Sequence, residues 1–551
     1  MHSNLTGHKA YVRPRIDYDT VFAAAPNIQA TRLLQIIAVT FNFVRFAYDI
    51  TAAYLSGTAR EDQRFPVRYP EGKIRDQHRD PHTGEERYAI LIGNLYGLPQ
   101  SARVWAQYRD DVYLNKLPEK YPGWKVERMM YEQCMFKFTS PKGKVSFKVI
   151  HTDDADGISE DPDDAVALVK MANELFMHKG KDGIVVGDPK HMLGISREIT
   201  VQPDGVRILR ITMTGYIEKL WDSFGKFRTG RKTPSMPFPQ GKEAHPLMDE
   251  AGKIPDITDD EAKRIHNLGY RELLGGLLWL ARNVGIGIAY AVSILSRCMH
   301  RPSAIAWEAA LHTLHYAYHR REEGIVFRSD GNLAPICFYD SGHSQNLITH
   351  KSQYGFIVYW GGGPAVWKSK RHDHVGLHSS EDEYMALSHA FRQVAGMRHL
   401  LVDMGYGHLV KAPTPMIGDN RNATSWGREQ MITDGNRHID RMYMKVGEAT
   451  REGTIIPIWI KGQSNPSDFL TKAIEKIVDD TLRLIVCGLQ PFELPPDFAR
   501  QMADCAVKMN WDYIPDRYVL RQSKGQRDSI DKTRALYAQI FAAVADGTQQ
   551  W

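Results

Sequence analysis

Apolar side chains recur at helical spacing over 30–46 (ATRLLQIIAVTFNFVRF), which predicts a helix, and the chain then enters AYDITAAYLSG, read as a strand running into a turn. Residues 71–86 (EGKIRDQHRDPHTGEE) are charged and rich in turn formers, so an exposed loop is expected there. VSFKVIHT at 145–152 is a β-rich run that stops abruptly at Asp153, Asp154 and Asp156. A helix is expected over 161–177, with acids in its first turn that suit the helix dipole. The pattern is mostly helical over 259–323, and short strands and turns return over 334–370. From 379 to about 404 a long amphipathic helix places Tyr384, Leu387, Phe391, Val394, Met397 and Leu401 on one face. TPMIGDN reads as a strand, 438–451 as a helix, TIIPIWIKG as a strand, and the tail beyond Val478 as largely helical.

Composition narrows the class. The 551 residues suggest about three or four domains at roughly 150 residues each, and 43% hydrophobic with 25% charged residues is ordinary for a chain that buries a core. A formal charge of +5 is too weak a bias to name a nucleic-acid partner. The cysteines (Cys134, Cys298, Cys337, Cys487, Cys505) are scattered and odd in number, which argues against a disulfide scaffold or a structural zinc and fits a reducing compartment. No apolar leader follows Met1. The most apolar stretch, 273–295, carries Arg282 and Asn283 at its centre, where an arginine alone costs about 2.5–3.5 kcal/mol on insertion, so it reads as buried helices rather than a membrane span.

Two sets of carboxylates then stand out. Asp49 and the pair Asp153 and Asp154 each end an apolar β-like run, and neighbouring strand ends can bring them together. Three converging carboxylates repel one another unless a cation sits among them, and magnesium suits oxygen ligands. A pair of aspartates after a strand equally well starts a loop or caps a helix. The second set is Asp340 ending ICFYD, Glu383 at the start of the long helix, Asp419 ending PMIGD, and Asp468 after IWIKG. Rigid strand ends and a helix start aimed at one spot are what a metal nuclease needs. Singly, each is also explained as a dipole acid, a cap or a turn former, and periodicity does not choose.

The flanking residues do choose. YDITAAYLSG (48–57) resembles the first palm motif of reverse transcriptases, closely that of the copia class of long-terminal-repeat retrotransposons. LYGLPQSARVW (95–105), HTDD (151–154) and MLGI (192–195) resemble the motifs that follow it, and YRELLGGLLW (270–279) and YAVSILSR (290–297) the linking region. SSEDEYMAL (379–387), GDN (418–420), RHID (437–440) and DFLTK (468–472) resemble the copia ribonuclease H domain, all in family order from about Tyr18 to Lys472.

The resemblance implies an α+β palm with a helical thumb or connection, then an α/β ribonuclease-H-like domain with a mixed five-stranded sheet. The expected boundaries are 1–204 for partial fingers and palm, 205–330 for the connection, 331–478 for ribonuclease H and 479–551 for a helical extension. Asp49, Asp153 and Asp154 would bind two Mg²⁺ ions for DNA synthesis, and Asp340, Glu383, Asp419 and Asp468 two more for hybrid cleavage, with Mn²⁺ as a substitute. Tyr54 falls where the class places a ring under the incoming sugar, excluding a 2′-hydroxyl, although a core aromatic is the plain alternative. Gln100, and less strongly Arg103, would contact the incoming deoxynucleoside triphosphate. The partners implied are an RNA template, a DNA primer and their hybrid, with no membrane. The implied location is the cytoplasm, in a virus-like particle, or the nucleus. For His438 and Asp440, which match a family hallmark, the residues suggest no mechanism, and a cap or core histidine explains them as well.

The sequence also departs from the family. Only Lys9, Arg13 and Arg15 could stand in for the basic fingers residues that grip the triphosphate, so an amino-terminally truncated enzyme with impaired polymerisation is expected. The linking region reads RNVGI (282–286) instead of R-P-D-I, and the loop KGQSNPS (461–467) offers no histidine for product release. Two alternatives therefore stand beside the full enzyme: a remnant with ribonuclease H activity alone, and an inactive nucleic-acid-binding remnant.

Overall fold

A computed structural model of the chain describes residues 23–51, 53–57, 66–69, 72–91, 94–176, 184–239, 257–343, 349–429, 441–473, 482–492 and 494–509. It divides into two compact units, one holding 43–189 with the chain up to Leu34, the other holding 35–42 and everything from Lys190.

The helix expected over 30–46 occupies Ile28–Phe41 and stops earlier than its apolar pattern does. Asn42 takes a left-handed φ of 59°, which asparagine tolerates, and this turn sends the remaining apolar residues into strand β1 (Val44–Asp49).

In the first unit β1 is followed by β2 (Pro66–Arg68), β3 (Tyr88–Ile90), β4 (Lys125–Arg128), β5 (Met135–Thr139), β6 (Val145–His151), β7 (Asp154–Ser159) and β8 (Ile184–Gly187). Six of these form one antiparallel sheet in the order β4-β5-β6-β7-β1-β8, while β2 and β3 pair separately. Phe46, Tyr48, Ile50, Trp105, Tyr113, Phe136, Phe138, Ile150 and Leu168 make its core. The helix Pro162–Leu175 starts where Asp161 accepts from the backbone N–H groups of Asp163 and Asp164, a cap worth about 0.5–2 kcal/mol.

Two expectations need correction in this unit. The β-rich run does not end at the acids: after a two-residue turn the chain pairs back on β6 as β7, with Asp154 and Asp156 on one face and Ala155 and Gly157 on the other. The segment 71–86 is not loop throughout: it holds the short helix Lys73–Gln77 and a bridge between Arg79 and Glu86. Its charges pair with one another, Arg75 and Arg79 both reaching Glu86 at 3.8 Å.

The described residues of the second unit form two sheets. β9 (His191–Met192), β10 (Ile195–Val201), β11 (Arg207–Thr212) and β12 (Ile325–Arg328) form an antiparallel one, in the order β12-β11-β10-β9. The described residues between β11 and β12 are largely helical, and the apolar stretch 273–295 falls in the buried helices Tyr270–Asn283 and Ala289–Ser296 with a turn between them. No helix among the described residues is long and apolar enough to cross a membrane.

The other sheet is mixed and five-stranded, built from β13 (Ile336–Gly342), β14 (Gln353–Trp360), β15 (Gly363–Arg371), β16 (Thr414–Gly418) and β17 (Ile455–Trp459) in the order β15-β14-β13-β16-β17. β13 runs antiparallel to β14 and parallel to β16, and β16 is parallel to β17. The long helix Ser379–Asp403 packs on β13, β14 and β16, burying the six residues of its expected apolar face. β13 is buried along its whole length, as a central strand covered on both faces must be. The described part of the tail includes the helix Phe498–Met509.

Candidate active sites

The first set of acids lies at one end of the six-stranded sheet. Asp49 is the last residue of β1 and stands directly opposite Asp154, the first of β7, so the two side chains share a face. Asp153 occupies the two-residue turn between β6 and β7, and its carbonyl accepts from the Ile50 N–H at 2.8 Å. Asp49 is thus brought beside Asp153, 104 positions later in the sequence, and Asp154 through backbone pairing alone. Thr152, beside them, is held at a φ of 57°, a region β-branched residues avoid at a cost of about 1–3 kcal/mol. The Trp105 indole donates to the Thr152 carbonyl at 2.8 Å and pins the turn.

Tyr54 is half-buried on the short helix Ala53–Ser56, with its ring centroid 4.8 Å from that of Tyr96. That helix packs on the helix Ser101–Asp111, where Gln100 holds the N-cap position and Arg103 the first turn. Gln100 is buried, and neither its amide nitrogen nor its amide oxygen has a hydrogen-bond partner among the described residues. A buried primary amide left this way costs about 1–3 kcal/mol, and it offers a donor and an acceptor to an incoming group. Lys9, Arg13 and Arg15 lie outside the described residues, as do His438 and Asp440.

The second set gathers more tightly. Oxygens of Asp340, Asp419 and Asp468 all lie within 4.8 Å of one another, and among the described residues no other acidic group gathers that closely. Asp340 sits within β13, which runs two residues past the strand end expected from ICFYD. Asp419 directly follows β16, and Asp468 lies in the 3₁₀ turn Pro466–Leu470 after β17. Glu383 is buried in the first turns of the long helix. Burial raises its carboxyl well above the usual range, and the nearby Asp340 and Asp419 raise it further. Burial, then the charge of Asp340, pushes Asp419 up to about 6. The same two causes raise Asp468, against the pull of Lys472.

Local structure explains the gathering. Asn465 caps the 3₁₀ turn by accepting from the Ser467 N–H at 3.1 Å, and its own amide donates to the Tyr339 carbonyl at 2.9 Å. The turn therefore hangs on the residue next to Asp340. Gly355, paired with Asp340 across β13 and β14, lets this segment approach: a Cβ there would stand 2.5 Å from the Leu470 Cβ. Thr471 donates its hydroxyl to Asp340 Oδ2, and the Trp459 indole holds the Asp419 carbonyl at 3.0 Å. Thr471 and Lys472 belong to the DFLTK string, but the sequence assigned them no role. Their contact with Asp340 spans distant parts of the chain and leaves no periodic signal.

The donor set fits a divalent cation. All its groups are hard carboxylate oxygens, and Glu383 Oε2 is buried without a hydrogen-bond partner among the described residues. Repulsion among raised carboxyls is what such an ion relieves.

No protein-family model matches the chain. It is 22% identical over 464 residues to the retrovirus-related Pol polyprotein from transposon TNT 1-94 of Nicotiana tabacum, an alignment covering 84% of this chain and 32% of that protein. With the corresponding polyprotein from transposon RE2 of Arabidopsis thaliana it shares 23% over 475 residues, covering 84% and 29%. The chain thus spans about a third of the length of these curated relatives. Among solved structures, prototype foamy virus protease-reverse transcriptase aligns over 82% of this chain and 47% of its own, at 11% identity and a TM-score of 0.20. By sequence, the chain is similar to copia-type retrotransposon Pol polyproteins over most of its length.

Proposed function

We propose that this chain is an RNA-directed DNA polymerase joined to a ribonuclease that cleaves the RNA of an RNA–DNA hybrid. In this reading residues 1–204 are fingers and palm, 205–330 the thumb or connection, 331–478 the ribonuclease H domain and 479–551 an extension. The observation that carries it is the placing of two separate acid sets on two different sheets and the segments packed against them, in a chain whose relatives are Pol polyproteins.

At each site Mg²⁺ or Mn²⁺ would supply the activation of the attacking oxygen and the neutralisation of the leaving one. Asp49, Asp153 and Asp154 would hold the ions of synthesis, the strained turn at Thr152 fixing the last two. The Tyr54 ring would exclude a 2′-hydroxyl, and the unpartnered Gln100 amide would bind the incoming deoxynucleotide, with Arg103 beside it. Asp340, Glu383, Asp419 and Asp468 would hold the ions of cleavage, with the Asn465 cap keeping Asp468 in place. The substrates follow: template RNA, primer DNA, deoxynucleoside triphosphates and the hybrid, met in a cytoplasmic particle or the nucleus.

The purified full chain should extend a DNA primer on an RNA template. Asp153→Asn with Asp154→Asn should lower incorporation by about 10²–10³-fold, the scale of losing transition-state charge stabilisation. Unchanged incorporation in that variant would overturn the polymerase assignment. A ribonuclease-only reading draws support from the tight gathering of the second set alone, and it predicts no incorporation by the wild type while cleavage persists.

A further inference from the structure

Lys472 lies one turn beyond Asp468, and its ammonium sits on the second acid set. Nζ is 2.9 Å from Asp468 Oδ1 and 3.6 Å from Asp340 Oδ2. The side chain is 42% exposed, so it meets solvent as well as the acids. Burial works against the ammonium, yet the carboxylates of Asp340 and Asp468 outweigh it and hold the charge on. Among the described residues, no other cation pairs with Asp340, Asp419, Glu383 or Asp468. A positive charge already stands where a metal ion would reduce the same repulsion.

We propose that Lys472 is a tethered counter-ion of the ribonuclease site, holding its carboxylates together without metal and leaving them when a divalent ion enters, so that it sets the site's metal affinity. The proposal rests on the ribonuclease reading and adds a regulator to it. A lysine suits the task. Its compact, strongly hydrated charge rides on a flexible four-carbon stem, and a half-exposed one can swing into water at little cost. Thr471 stays behind on Asp340, so the carboxylate keeps one partner through the exchange. A rigid structural lysine would behave oppositely, since losing it would disorder Asp468 and weaken metal binding.

The test is calorimetric titration of the full chain with Mg²⁺ and with Mn²⁺, in a background of Asp153→Asn and Asp154→Asn so that only the second set responds. Lys472→Gln should tighten binding by several-fold to about tenfold, the latter about 1.4 kcal/mol, and Lys472→Arg should stay near the wild type. The unfolding midpoint of Lys472→Gln should fall without metal and recover with excess Mg²⁺, a readout that needs only folded protein. Unchanged or weaker binding in Lys472→Gln overturns the counter-ion role while leaving the site reading intact. If the wild-type lysine background binds no ion, or Asp419→Asn binds as well as its parent, the ribonuclease site itself is wrong and the inference falls with it.

Discussion

Asp419 and Glu383 show how burial and like charge act on single carboxyls of the second set. Burial first, then neighbouring acids, lifts both carboxyls above the ordinary range, Asp419 to about 6. A raised folded value means that the folded chain keeps its proton to higher pH than the unfolded chain does. Between the unfolded carboxylate value near 4 and about 6 the folded state binds more protons, so stability falls as pH rises through that window and stays lower above it. A divalent ion removes the same repulsion but needs the ionised ligands. The rise in unfolding midpoint on adding excess Mg²⁺ should therefore be large above about pH 6 and small below about pH 5, as read by scanning calorimetry. A rise of the same size at both extremes would show that these carboxyls are not what the metal meets. The acids themselves were legible as residue types out of place at strand ends. Their order of proton affinity was not, because it depends on burial and on partners remote in sequence.

At the scale of elements, strands and helices differ in how much of themselves they announce. The long helix 379–403 was readable because one face repeats apolar residues while the chain passes over a sheet. β7 (DADGIS) was not, because its alternation sets acids against small residues and shows no apolar face. Gly157 in it admits the Phe46 ring, which a Cβ would meet at 2.2 Å. β6 misleads in another way. Lys148 looks like a solvent-facing position in VSFKVIHT, yet it is fully buried, donates to the Tyr48 hydroxyl at 2.7 Å and lies 3.9 Å from the Tyr113 ring centroid. Burial drives its proton affinity well down, a cost that no pattern of apolar residues reveals. The close approach at Gly355 is hidden for the same reason: a glycine within a strand shows where something comes near, but not what. Gly355→Ala should force the 3₁₀ turn away from β13, destabilising the fold by about 1–3 kcal/mol. It should also lower hybrid cleavage by about 10²-fold, since about 1 Å of misplacement is enough. Cleavage at the wild-type rate in a folded Gly355→Ala chain would show that the turn need not be so close for Asp468 to act.

For the whole molecule, the question is what two acid sets in one chain accomplish that either alone does not. The described residues place them in different compact units, on different sheets, with no acid in common. On the proposed reading the product of the first site, DNA paired to its RNA template, is the substrate of the second. Given a primed RNA template, deoxynucleotides and Mg²⁺, the wild type should release single-stranded DNA. Asp419→Asn should make DNA of the same length that stays annealed to intact RNA, because synthesis does not need the second site. The Asp153→Asn, Asp154→Asn chain should leave a primed template almost whole yet still cut a preformed hybrid. Native and denaturing gels of separately labelled RNA and DNA would distinguish the three products. If Asp419→Asn stopped synthesis as completely as cleavage, one acid set would be serving both reactions, and the assignment of a separate polymerase centre to Asp49, Asp153 and Asp154 would have to be abandoned.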